Sequence, residues 1–256
     1  ALNPIILFTN SVLNPFITDI TIIKTATPKL IPINEKTLFN PKSAYGIAKV
    51  TSHHIIKNYR ENFKMHASTG ILFNHESPLR GLDFVTRKIT DGVARIACNQ
   101  ASELRLGNLD VHRDWGYAPD YVEAMWRMLN QEDPGDFVIA TGQTHSVRDF
   151  AHLAFEYAGL DAEEHIVSDT VFYRPIEVNR LVGNSSKAQT RLDWNPSRTS
   201  FECLVRGMVE ADLFRWENRV AGKATGDMRY ESSVGCLLYT SPSPRDQRGS
   251  RIPGWA

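Results

Sequence analysis

The 256 residues carry 29 Lys plus Arg against 29 Asp plus Glu, a formal charge of zero, so no overall basic field exists to hold nucleic acid or an anionic membrane surface. The length is ample for one large or two small cores, and three scattered cysteines, Cys98, Cys203 and Cys236, exclude a disulfide framework or a cysteine zinc site and fit a reducing cytoplasm. No apolar run approaches the roughly 18 residues of a membrane span, and the first residues lack the basic and apolar regions of a secretory signal.

Residues 1–30 are rich in Ile, Thr, Asn and Pro, with Pro4, Pro15 and Pro28 interrupting any long element, and no element is predicted there. Ser43 then precedes a helix over 43–63, with Ile47, Ala48, Ile55, Ile56 and Tyr59 as its apolar face and Lys49, Lys57, Asn58, Glu61 and Asn62 as its polar face. A short strand follows over 69–73, a polar loop over 74–83, a second amphipathic helix over 84–98, and a new unit from 104–106. Residues 107–119 read as a loop, 120–129 as a helix and 137–140 as a strand. The Ser146-Val-Arg-Asp149 capping-box pattern opens another helix, and Thr199-x-x-Glu202 the last one. This alternation predicts an α/β domain with a mainly parallel sheet. From residue 221 the periodicity is lost, and the Ser, Pro, Arg and Gly of 241–256 predict a disordered tail. Cys236-Leu-Leu-Tyr-Thr-Ser-Pro-Ser-Pro-Arg-Asp246 resembles translated sequencing-adapter read-through, which predicts that residues from about 233 carry no biology. The expected organisation is a divergent segment over 1–30, a family-like body over 31–220 and an artefactual tail over 221–256.

Tyr45-Gly-Ile-Ala-Lys49 is the sharpest chemical signal, because residues four apart on a helix face the same way and bring a phenol beside an ammonium. A free tyrosine titrates near pH ~10, and an adjacent cation favours the phenolate, which can then take a proton from a sugar hydroxyl. The bare spacing more often marks mere surface neighbours. His75-Glu76 hints at a metal, but Leu79 stands where the second His of a His-Glu-x-x-His site belongs, so no metal is expected. His53 and His54 read as solvent- or partner-facing, Trp115 and Trp126 as core or helix-packing aromatics, and Cys98 as a buried small apolar side chain.

Pro41-Lys-Ser-Ala-Tyr45-Gly-Ile-Ala-Lys49 resembles the active-site helix of extended short-chain dehydrogenase/reductases. Asn74-His-Glu-Ser-Pro-Leu-Arg80-Gly81, Phe84-Val-Thr-Arg-Lys88, Leu106-Gly-Asn-Leu-Asp110, Arg113-Asp-Trp-Gly116, residues 136–142 and Tyr173-Arg-Pro-Ile-Glu177-Val178 narrow the likeness to the GDP-mannose 4,6-dehydratase family over 31–215. The resemblance implies an incomplete NAD(P)-binding, Rossmann-like doubly wound sheet plus a smaller C-terminal substrate-binding domain. It implies that Tyr45 takes the hexose O4 proton while hydride passes from C4 to NADP, and that Lys49 orients the nicotinamide ribose. The 4-ketone then acidifies C5, water is lost across C5 and C6, and the hydride returns at C6. His75 and Arg80 match cofactor positions. Asn74, Val85, Lys88, Arg113, Arg174 and Glu177 match positions around GDP-mannose, where Arg and Lys suit the diphosphate and Glu177 the ribose hydroxyls. Without the surrounding blocks, Arg113 and Arg174 would read as surface salt-bridge residues. Homo-oligomers are implied, with Arg80 and Arg87 as the candidate subunit contacts, and the downstream sugar, fucose or rhamnose, is left open.

A dinucleotide fold needs a glycine-rich turn at a helix N-terminus, and no Gly-x-x-Gly-x-x-Gly motif occurs in the chain. The family's Ser/Thr-x-Glu block, whose glutamate takes the C5 proton, falls by an ungapped count on Thr21 and Ile23, and Glu35 belongs to a later segment. The expectation is therefore an inactive fragment, truncated or mis-joined near residue 30, with uncovered sheet edges and poor solubility. The alternative is a non-catalytic GDP-sugar-binding or interaction module. Another extended reductase or epimerase is a third reading, which the 74–80 and 173–178 blocks disfavour.

Overall fold

The computed structural model describes residues 32–41, 43–172 and 180–222, together with the backbone of 17–19. Arg174 and Glu177, the remainder of the 1–30 segment and the tail after 222 lie outside the described residues. The elements begin with β1 (Ile17–Asp19), α1 (Ala44–Phe63), β2 (Thr69–Leu72), β3 (Asn74–Glu76), α2 (Val85–Ala97), β4 (Leu104–Leu106), β5 (His112–Arg113) and β6 (Trp115–Tyr117). They continue with α3 (Ala118–Leu129), β7 (Asp136–Ile139), β8 (His145–Ser146), α4 (Val147–Tyr157), α5 (Ala162–His165), β9 (Ile166–Ser168), α6 (Ser186–Leu192) and α7 (Phe201–Val220).

A parallel sheet in the order β1-β2-β7 forms the centre, with Gly70 opposite both Ile17 and Phe137. Sheets covered on both faces read as apolar runs, and β2 is buried along its whole length. Leu72, Phe137 and Ile139 join Tyr121, Ala124, Met125 and Met128 of α3 and Ala188 and Leu192 of α6 in one cluster. Ile71, Phe73, Val138 and Ala140, which alternate with them, pack with Ile33 and Leu181 in another. The Glu35 carboxylate accepts the Val138 N–H at 2.9 Å, so it satisfies a backbone donor of β7, which ends the sheet among the described residues. A second body of core joins α2, α4 and α7 through Ile89, Val93, Phe150, Phe155, Leu204 and Met208.

Helix starts follow their caps. Ser43 Oγ accepts the Gly46 N–H at 3.0 Å, and Ser146 and Asp149 make the reciprocal capping box that their spacing predicts. At α7 the cap is Ser200, whose Oγ accepts the Cys203 N–H at 3.2 Å, and not Thr199.

Several expectations are corrected. The 74–83 and 107–119 loops contain β3, β5 and β6, strands of two or three residues that are too short to show a period. A strand also lies within the segment where none is predicted, at 17–19. Helix α1 turns Gly46, Lys49, His53 and Ile56 inward, so Lys49 and His53 are buried while Ile47, Ile55 and Tyr59 are exposed. His53 and Arg60 of this helix meet Asp136, which accepts from Arg60 at 2.9 Å and lies 3.9 Å from His53 Nε2. Trp115 is core, but Trp126 is exposed, because Tyr121, Ala124, Met125 and Met128 form the inner face of α3. Cys98 sits half-buried at the C-cap of α2, where burial, and then the charge of Glu217, push its thiol up.

Candidate functional site

Tyr45 follows the Ser43 cap by two residues and is half-exposed, while Lys49 one turn later is buried. The Lys49 Nζ lies 5.2 Å from the centre of the Tyr45 ring, so the two face each other as the spacing predicts.

The second group of predicted residues lies at the carboxyl ends of β2 and β7, where ligands of doubly wound sheets bind. Strand β3 pairs in parallel with β6, placing Asn74 opposite Trp115 and His75 opposite Gly116. His75 Nδ1 lies 2.9 Å from the Phe73 carbonyl, which can only accept, so that nitrogen carries the proton. A Cβ at Gly116 would stand 2.3 Å from Cε2 of the buried Tyr121 ring, so β6 requires glycine there. Glu76 is buried, accepting from Thr86 Oγ1 at 2.7 Å and pairing with Arg80 Nε at 3.1 Å. Arg80 also lies 3.5 Å over the Phe84 ring.

Asp114, which the sequence reading passed over inside the Arg113-Asp-Trp-Gly116 block, is fully buried. Its Oδ1 accepts from Thr141 N at 2.9 Å and Thr141 Oγ1 at 2.6 Å, and its Oδ2 from Gly142 N at 3.0 Å and Gly183 N at 3.1 Å. Burial pushes this carboxyl up, opposed by those four donors. The side chain thus ties the turn after β7 to the 180–185 segment.

Helix α2 starts without a side-chain cap, so its first-turn amides lack the partner a Ser or Asp would give. Val85, the first residue of that turn, can serve a ligand only through its backbone N–H or its methyl groups. Lys88 follows on the same turn, its Nζ 3.7 Å over the Phe172 ring. Burial lowers the Lys88 ammonium and the charge of Asp169 partly restores it. Phe172 is held close by its neighbour: a Cβ at Gly107 would meet the Phe172 carbonyl oxygen at 2.7 Å. Arg113 is buried, with Nη1 donating to the His112 carbonyl at 2.8 Å. Among the described residues no helix is long and apolar enough to cross a membrane, and no three His, Cys, Asp or Glu side chains gather as a metal site.

The parallel sheet with helices packed against it, its polar residues gathered after the strand ends, defines a doubly wound α/β fold of the Rossmann type. Solved structures share it: RMD from Pseudomonas aeruginosa complexed with NADPH aligns with a TM-score of 0.72 at 21% identity, over 78% of this chain and 66% of that one. UDP-glucose 4-epimerase from Thermotoga maritima, with UDP-glucose, aligns with a TM-score of 0.67 at 24% identity, over 79% and 63%. The family model for GDP-mannose 4,6 dehydratase matches residues 27–208, and the chain belongs to that family. It is 48% identical over 182 residues to GDP-mannose 4,6 dehydratase 1 of Arabidopsis thaliana, covering 71% of this chain and 50% of the relative. It is 47% identical over 200 residues to the Homo sapiens GDP-mannose 4,6 dehydratase, covering 72% and 54%. The chain therefore spans about half the length of the relatives it matches.

Proposed function

We propose that the chain is the substrate-handling part of a GDP-mannose 4,6-dehydratase, a hydro-lyase, with GDP-mannose as ligand and NADP as cofactor in the cytoplasm. The observation that carries the reading is the uncapped first turn of α2 with Lys88 on it, joined to β3, which carries Asn74 and His75, by the hydrogen bond from Thr86 to Glu76. A helix N-terminus with a lysine at hand suits a diphosphate. Val85 offers its amide there, Asn74 and Arg113 serve the sugar-nucleotide, and Arg174 and Glu177 are assigned by resemblance alone.

Tyr45 and Lys49 fit the nicotinamide end of the cofactor, and His75 and Arg80 are assigned to it as well. NADP, when bound, supplies the reversible hydride acceptor that turns an overall dehydration into an internal redox sequence. Tyr45 as phenolate takes the proton from the hexose O4, while Lys49 holds Tyr45 ionised by its charge and steadies the ribose. NADPH in the RMD complex and the family membership support a nicotinamide cofactor for this site. Ile23, at the position counted for the C5 base, has no proton-accepting group, which favours a second reading, GDP-sugar binding without turnover.

Calorimetric titration of the chain with GDP-mannose, with and without NADP, followed by mass analysis of the sugar nucleotide, tests both. Binding that weakens at least tenfold in Lys88→Ala supports the site. Loss of one water from the product, abolished in Tyr45→Phe, supports the dehydratase, and binding without water loss supports the second reading. No binding of GDP-mannose by the folded chain would sink both.

A further inference from the structure

Asp212 lies on α7, far in sequence from every residue assigned above, yet it is fully buried. Its carboxylate accepts from Arg87 Nε at 2.8 and 3.0 Å, from Thr90 Oγ1 at 2.7 Å and from Arg215 Nη1 at 2.8 Å. The two arginines pass the connection on. Arg87 Nη1 donates to the Pro78 and Arg80 carbonyls, both at 2.9 Å, and Arg215 Nη2 donates to the Pro78 carbonyl at 2.8 Å. Three guanidinium bonds thus end on the backbone of a turn whose own bonds are Arg80 N–H to Ser77 O, Leu79 N–H to Ser77 Oγ and Phe84 N–H to Gly81 O. A buried carboxylate that fixes two guanidinium groups in one orientation is the means by which a helix sets a loop it does not touch with its own backbone. The Arg87 side chain is 12% exposed, its guanidinium held by these bonds within the chain.

We propose that Asp212 is a positioning residue. Through Arg87 and Arg215 it sets the 78–80 turn, and with it the Asn74–Arg80 segment and the start of α2, where Asn74, Val85 and Lys88 are assigned to the nucleotide sugar. The inference rests on that assignment for its functional consequence, but its structural claim is measured independently.

Hydrogen–deuterium exchange of the full chain, with GDP as the probe ligand, tests it in Asp212→Asn, Arg215→Met and Arg215→Lys. Asp212→Asn is expected to speed exchange of the Arg80 and Phe84 amides at least tenfold while β2 and β7 amides keep their protection, and to weaken GDP binding about tenfold. Arg215→Met leaves the Arg87–Asp212 pair in place and is expected to shift both readouts in the same direction by a smaller factor, with Arg215→Lys restoring part of each. Should Asp212→Asn not fold, the Arg215 pair decides. Unchanged exchange at Arg80 and Phe84 in folded variants would overturn the proposal, as would faster exchange there with unaltered GDP affinity. A wild-type chain that binds no GDP but whose turn loosens in the variants would refute the ligand assignment and leave the positioning of the turn standing.

Discussion

Replacing Asp114 by asparagine exchanges one carboxylate oxygen for an amide nitrogen in a fully buried site with two donors on each oxygen. On the Oδ2 side the new NH2 would face the Gly142 and Gly183 N–H groups, neither of which can turn away. On the Oδ1 side it meets the Thr141 N–H and a hydroxyl that can rotate to accept, so the variant adopts this arrangement and strands one backbone donor. A stranded buried donor costs ~1–3 kcal/mol, and the remaining bonds lose their charge assistance. Relief from burying a charge offsets part of this, consistent with a carboxyl pushed up by burial. The expected loss is about 2–3 kcal/mol for Asp114→Asn and about twice that for Asp114→Ala, which strands all three backbone donors. Urea unfolding followed by circular dichroism measures both. A loss below ~1 kcal/mol for asparagine, or equal losses for the two variants, would refute the hydrogen-bond argument.

Asp136 gives a pH dependence: burial raises its carboxyl, but the hydrogen bonds and charge of Arg60 and the charge of His53 outweigh it and leave the group lowered. A depressed carboxylate adds stability above its unfolded value, near ~3.9, and loses it as the pH falls through the folded value. Arg60→Met should therefore cost about 2 kcal/mol at neutral pH, with the gap to wild type closing under acid; a gap that is constant with pH would contradict the pairing. Gly116→Ala places a methyl 2.3 Å from the Tyr121 ring and should cost about 3 kcal/mol in the same unfolding assay, while a neutral effect would mean β6 shifts freely. Trp126→Gln, on the exposed face of α3, should stay within ~0.5 kcal/mol of wild type; a larger loss would restore Trp126 to the packing role its sequence suggested.

Helices and the buried strands were legible because their signals are local. The cap at Ser43, the box at Ser146 and the apolar runs of β2 and β7 each state their own structure. The Tyr45–Lys49 pair was legible for the same reason, since helical spacing alone brings it together. What was not legible depends on distant partners. His53 faces inward because the sheet lies on that side and Asp136 waits there, 83 residues after it in the chain. The short strands β3, β5 and β6 exist by pairing with segments their own residues do not announce. Asp114 and Asp212 take most of their donors from segments distant in the chain, so local pattern marks neither as more than one acid among other polar residues.

The most direct test of the nucleotide-sugar assignment is the amide exchange map of the full chain on saturation with GDP-mannose. Protection concentrated on Asn74 to Lys88, with little change along α4, is the result expected from an anion held by β3 and the first turn of α2. Protection located elsewhere, or none at saturating ligand, would contradict it.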